Sequence, residues 1–426
     1  MFFYYLLRHF FLIGMLIVVA TSCHNDEEIL PPPTATPENP AEDNGRTVLI
    51  YCTAQNDLGL FTWATDSTEI AKGAQYIDAK NQLLVYVDDA RLPRIYQFSA
   101  QNAPQLIRQW TTDEYSTNPR QLQDVVSYVS QCFPSKEYGL VFWSHSDGWL
   151  PSTNTNYGTL SPLSYGIDVG PDGNMGNNKD HTGNIGAQMN IEEMAEALSA
   201  TGIHFKYIFF DSCLMQCIET IYALRKSADY IVASPMPIPF DGAYYTHMVQ
   251  SGLFADSVSA IVETYYDDVT EMTNVYSDYG LVISAVQTAG VEELATTIKN
   301  ALASTDWETT FPDMKDVDKY YRYLSSYYYR PHFYDLRSAL QKITDEQQFQ
   351  AIDAALNKVV KSYRATSRFW IGPGARDYTT IDVENCCGIS MFVPQKEYAT
   401  NAYQCIFGNL NEKYKATEWA TAISKN

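Results

Sequence analysis

Tyr207-Ile208-Phe209-Phe210-Asp211-Ser212-Cys213 is an unbroken run of large apolar residues that ends on a carboxylic acid and a thiol. Such a run has no polar alternation, so it predicts a strand covered on both faces. Leu140-Val141-Phe142-Trp143-Ser144 behaves in the same way and delivers His145 at its end. Thr47–Cys52, Leu83–Val87 and Tyr230–Ala233 are further runs of this kind. Helical patterns separate them. Leu122, Val125, Val126 and Val129 form an apolar stripe at i, i+3, i+4, i+7. Ile191–Ala200 follows Asn190 as N-cap with Glu193 three residues on, the pattern of a capping box. Leu214, Ile218, Ile221 and Leu224 predict a third helix that begins directly after Cys213. Buried strands alternating with helices indicate an α/β fold with a mostly parallel sheet flanked by helices.

In an open parallel sheet, ligands gather beyond the carboxyl ends of the strands. If the strands ending at His145 and Cys213 are neighbours, an imidazole and a thiol emerge on one rim, as nucleophilic catalysis by cysteine requires. A helix starting at Cys213 would favour the thiolate through its free N–H groups and dipole. The Cys213 amide, with that of Ser146 or Asp147, could hold an oxyanion. The plainer alternative is a packed core cysteine and a strand-end histidine satisfied by its neighbours. Spacing does not separate the two readings.

The surrounding residues add to this. Asp211-Ser212-Cys213-Leu214-Met215 with Glu219 resembles the nucleophile motif of clostripain-family peptidases, and Trp143-Ser144-His145-Ser146-Asp147-Gly148-Trp149 resembles their histidine motif. Tyr51–Leu58, Ala233-Ser234 with Asp241-Gly242 and Tyr245, and Gly388–Pro394 fall in the family's order, so the resemblance spans roughly residues 47–400. It implies a caspase-like fold with an α/β C-terminal extension and a Cys213–His145 dyad with no obligatory third member. It also implies preference for Arg or Lys at P1, with Asp211 and Asp241 matching the acidic positions at that pocket. A carboxylate there would select a cation through charge-assisted hydrogen bonds; Asp211 could also cap the helix beside Cys213. The chain departs from the family in having Ser146 where Gly is usual, which narrows the approach to the oxyanion position. Pro235-Met236 stands where an acidic pair is expected.

Relatives are often zymogens cut between the histidine and the cysteine. Lys179 and Lys206 are the only basic residues in that interval, and Lys179 lies in the Gly/Asn-rich stretch 173–180, which makes it the expected processing site. Calcium dependence occurs in clostripain itself. The acidic loops could host calcium, although no defined calcium loop and no other cofactor motif is present. Cys213 and Cys217 as CxxxC metal ligands are a weak alternative without a second pair.

The N-terminus bears on location. Arg8-His9 precede an apolar run, 10–20, too short for a first choice as a membrane span, and Ala20-Thr21-Ser22-Cys23 resembles a lipobox with Cys23 as the lipidated residue. Residues 1–23 are thus expected to be a lipoprotein signal, 24–45 a Pro-rich tether, 46–245 the catalytic core and 246–426 the C-terminal part of the same peptidase. An exported lipoprotein, on the outer membrane or surface of a Gram-negative cell, is the expectation. An ordinary secretory signal is the alternative. The net charge of −21 argues against a polyanion-binding role, while 46% hydrophobic and 14% aromatic residues provide for a large core. Eight cysteines in 426 residues do not form a disulfide framework, and Cys386-Cys387 are expected as packed thiols rather than a vicinal disulfide. The competing functional class is an inactive caspase-like surface protein that binds peptides or host proteins. A pure binder has no need to retain both Cys213 and His145.

Overall fold

The computed structural model describes residues 45–100, 102–150, 164–170, 186–271, 280–325, 328–371, 378–399 and 409–425. Cys23, Lys179 and Cys405 therefore lie outside the described residues. All the described residues belong to one compact unit.

The chain opens with β1 (Arg46–Thr53), followed by the short helix α1 (Asp57–Phe61) and α2 (Trp63–Gly73). Next come β2 (Gln82–Asp88), β3 (Arg94–Phe98), β4 (Gln105–Gln109), α3 (Pro119–Cys132) and β5 (Glu137–Trp143). A small hairpin, β6 (Tyr165–Asp168) with β7 (Ala187–Met189), leads into α4 (Ile191–Ala200), β8 (Tyr207–Asp211), α5 (Ile218–Leu224) and β9 (Tyr230–Ala233). Later strands are β10 (Val282–Gln287), β11 (Lys319–Ser325), β12 (Tyr328–Asp335), β13 (Val360–Ala365), β14 (Arg368–Trp370), β15 (Tyr378–Thr380) and β16 (Ser390–Met391).

Nine strands form the main sheet in the order β13-β10-β9-β8-β5-β1-β2-β3-β4. The five central strands, β9-β8-β5-β1-β2, are parallel, as their continuous apolar runs predict. Both margins are antiparallel: β3 and β4 on one side, β10 and β13 on the other. The sheet is thus mixed, and residues beyond 245 complete it rather than standing beside it. Alternate residues of β1 enter two cores on opposite faces, Leu49 and Tyr51 in one and Val48, Ile50 and Cys52 in the other. Each fully buried side chain of this type stabilises by about 1.5–3 kcal/mol, and two covered faces explain why the strands lack polar alternation.

The helices over residues 119–132 and 191–200 form where periodicity places them. The α3 stripe of Leu122, Val125, Val126 and Val129 is buried, and Asn190 and Glu193 close the capping box. The third helix differs. It begins at Ile218, with Cys217 as its N-cap, so Cys213 lies in a turn ahead of it. Leu214 has φ of 64°, a left-handed conformation that rules out helix at that point. Cys386 and Cys387 are buried free thiols. No helix among the described residues is long and apolar enough to cross a membrane.

Candidate active site

Strand register sets the geometry. Trp143 of β5 pairs with Asp211 of β8. His145 and Cys213 each lie two residues further on, so they leave neighbouring parallel strands at the same level. Both line one cavity of about 320 Å³ at the carboxyl edge of the sheet. Leu58, Asp147, Asp211, Phe240 and Gly242 share its walls, and Tyr321 and Trp370, from β11 and β14, cover it from the C-terminal half. The aromatic wall carries no signature in sequence, because it comes from two segments more than a hundred residues past the nucleophile.

The nucleophile turn is held by the segment after β9. Leu214 N–H donates to Met236 O at 3.2 Å, Gln216 N–H donates to Ser234 O at 3.1 Å, and Ser234 Oγ–H donates to Met236 O at 3.0 Å. Pro235-Met236, out of place as an acidic pair, thus serves as a brace for Cys213. The thiol is partly open to the cleft. Burial nevertheless pushes it up to about 12, the carboxylates of Asp147 and Asp211 add to this, and a hydrogen bond from Ile238 N–H works the other way. The expectation of a helix N-terminus at Cys213 is therefore corrected: the helix starts four residues too late to stabilise a thiolate, and burial favours the neutral thiol.

On the opposite wall, Ser146 is buried and its hydroxyl donates to Cys213 O at 2.5 Å. Its side chain ties the two loops together instead of crowding the approach. Asp147 N–H donates to Ser164 O, and Gly166 N–H to His145 O. Amides alternate along an extended chain, so the Ser146 N–H faces away from that ladder. Of the two amides considered for an oxyanion, only Asp147's is committed to Ser164.

His145 has a partner that motif reading missed. Its Nε2 lies 2.6 Å from Asp57 Oδ1, with the two side chains 22% and 31% exposed. Asp57 is 88 residues from His145, in the turn after β1. Asn56 next to it anchors this turn, donating to Thr53 O at 2.9 Å and Ile167 O at 2.8 Å.

Asp211 forms the floor. It is 3% exposed and accepts from Ala243 N–H, Tyr245 Oη–H and Tyr265 Oη–H at 3.0–3.2 Å. Burial pushes it up to about 6 against these three donors. It caps no helix. Gly242 has φ of +63°, and a Cβ there would meet Asp211 Oδ2 at 2.9 Å, so the floor requires glycine at that position. Asp66 lies nearby, accepting from Trp143 Nε1–H at 2.8 Å, and burial together with the charge of Asp211 raises it to about 8. Asp241 is exposed and, unlike its neighbours Phe240 and Gly242, does not line the cavity; its charge acts on Asp66 and Glu69. Among the described residues no group of three or more His, Cys, Asp or Glu is arranged to hold a metal. The chemistry below routes no step through calcium.

Comparison with known proteins bears on the family and the fold. No curated protein matches the chain. Two solved structures resemble it closely. A secreted C11 cysteine protease from Bacteroides thetaiotaomicron, in complex with an irreversible peptide inhibitor, has a TM-score of 0.71 at 26% identity, over 89% of this chain and 99% of that one. An inactive zymogen C11 protease from Parabacteroides distasonis has a TM-score of 0.70 at 24% identity, over 90% and 99%. The profile of the clostripain family, Peptidase C11, matches residues 50–425, and the chain is a cysteine peptidase belonging to that family.

Proposed function

We propose that this enzyme is an endopeptidase that cleaves after Arg or Lys, with Cys213 as nucleophile and His145 as general base and then general acid. The observation that carries the reading is the cavity in which His145 and Cys213 meet above the buried carboxylate of Asp211. As Sγ bonds to the scissile carbonyl carbon, the thiol proton passes to His145 and the carbonyl π electrons move onto oxygen. The Ser146 and Cys213 amides are the donors for that oxyanion. When the C–N bond breaks, His145 returns the proton to the departing amine. Water then attacks the acyl carbon as His145 takes one of its protons; the C–S bond breaks to leave the acid, and His145 returns that proton to the departing sulfur. Asp211 receives the P1 cation, with Asp241 adding charge nearby. Lys179 is the processing site and Cys23 the lipid anchor in the same reading.

Fluorogenic peptides that differ only at P1 (Arg, Lys, Asp, Asn, Leu) test it, with Cys213→Ala as control. Turnover of the Arg or Lys peptide, absent in the control, is expected. Turnover confined to another P1 would remove Asp211 from the assignment and leave the nucleophile. Intact mass after incubation tests processing: two associated fragments separated at Lys179 are expected, and a fully active uncut chain would refute it. Loss of membrane association in Cys23→Ala tests the anchor.

A further inference from the structure

We propose that Asp57 is a positioning residue that turns the His145–Cys213 pair into a three-membered relay, with Nδ1 of His145 as the nitrogen that exchanges protons with Cys213 and the leaving amine. This rests on the function proposed above and goes beyond it, since a dyad alone requires no carboxylate. The carrying observation is the 2.6 Å contact between Asp57 Oδ1 and Nε2 of His145, the histidine that lines the active cavity with Cys213. A carboxylate accepts only, so the Nε2 atom carries the proton in this pair. The neutral ring must then present its lone pair at Nδ1. When Nδ1 accepts the thiol proton, the ring becomes an imidazolium whose positive charge already has a counter-ion in place.

The state of the thiol makes this contribution large. Burial pushes Cys213 up to about 12 and so disfavours an imidazolium–thiolate pair at rest. The more proton transfer accompanies attack, the more of the cost of charging His145 falls within the barrier. Asp57 lowers that cost where it counts. Its turn is built to hold it still. Asn56 caps α1 by accepting from Leu58 N–H at 3.0 Å and Gly59 N–H at 3.4 Å, while its amide group donates to carbonyls of Thr53 and Ile167. Ala54 N–H donates to Asp88 O at 2.8 Å, and Val169 N–H donates to Gln55 O at 3.1 Å, so the end of β2 and the segment after β6 hold the same few residues. A first-turn acid placed only for helix stability would need none of this, and an ion pair this exposed adds little to folding.

The test uses purified protein with Asp57→Ala and Asp57→Asn, beside Cys213→Ala and His145→Ala. Both Asp57 variants should lose about a hundred- to ten-thousand-fold in kcat, with KM and Tm nearly unchanged. Because Asp57 is open to solvent, added formate should restore part of the kcat of Asp57→Ala in a saturable way and do nothing for His145→Ala. In 15N-histidine-labelled protein, a downfield imidazole N–H resonance, assigned by its loss in His145→Ala, should persist in Cys213→Ala and vanish in Asp57→Ala. Unchanged kcat in both Asp57 variants would overturn the proposal, as would a loss that tracks a fall in Tm and resists formate. If the parent enzyme shows no Cys213-dependent hydrolysis, the functional reading fails by itself. The histidine resonance then still decides the pairing, and its absence from the parent protein overturns the relay.

Discussion

Asp88 and Asp211 both end parallel strands of one sheet, and both are buried, at 0% and 3% exposure. Their surroundings diverge. Asp211 collects three donors, from Ala243, Tyr245 and Tyr265, and rises only to about 6. Asp88 faces a second buried carboxylate, Asp168, which accepts from the Ser116 N–H, the Ser116 hydroxyl and the Gly170 N–H, while Ser116 lowers Asp88 only as the smallest of the influences on it. Burial, followed by the charge of Asp168, pushes Asp88 up to about 10. Depth alone therefore does not decide whether a carboxylate ionises; the supply of donors does. One corner of the sheet favours a carboxylate's charge, and the other favours its proton.

The largest expected break in this contrast is Asp211→Asn. It should lower kcat/KM for Arg and Lys peptides by about a hundred- to a thousand-fold, as removal of one partner from a buried charge pair does. A Leu peptide should lose far less, and an equal loss on both would show that Asp211 supports the fold and not the ligand. Gly242→Ala comes next. A left-handed alanine costs about 1–2 kcal/mol and its Cβ would press on Oδ2, so Tm should fall and KM for basic peptides should rise together. A third, smaller effect sharpens the role of donors. Tyr265→Phe removes one, so the pH at which basic peptides lose affinity should rise by about one unit. The wild-type and variant KM should converge well above that pH and separate below it.

The smallest effect is expected at Asp88→Asn. With its folded-state value raised from the usual 3.8 of a carboxylate to about 10, Asp88 keeps a proton that the unfolded chain releases. Stability from this group is present at low pH and declines as pH rises through that window. Asparagine has no proton to lose, so denaturant melts should show a flatter pH dependence and nearly wild-type stability at neutral pH. An identical slope in the two proteins would mean that Asp168 carries the proton.

The five parallel strands were legible because both faces are covered, which leaves runs such as Tyr207–Phe210 without polar interruption. His145 and Cys213 were legible for a related reason, since each follows such a run directly. The antiparallel margins were harder: β4 is mostly exposed and gives no continuous apolar signal. The helix after Cys213 was placed four residues early because Leu214, Ile218 and Ile221 keep helical spacing, while the left-handed turn at Leu214 has no mark in residue type. Asp57 was hidden for a third reason. Its partner is distant in sequence, and an acid beside Asn56 has the same composition as any helix start.

The pairing of β5 with β8 carries one more consequence. Every route from His145 to Cys213 along the chain passes Lys179, so a cut there would leave the base on one polypeptide and the nucleophile on the other. What was a seam inside a sheet would become a subunit interface between two dissimilar fragments. Recovery from denaturation would change from a first-order process to one that depends on concentration, and the mature enzyme, once taken apart under dilute conditions, would be slow to return.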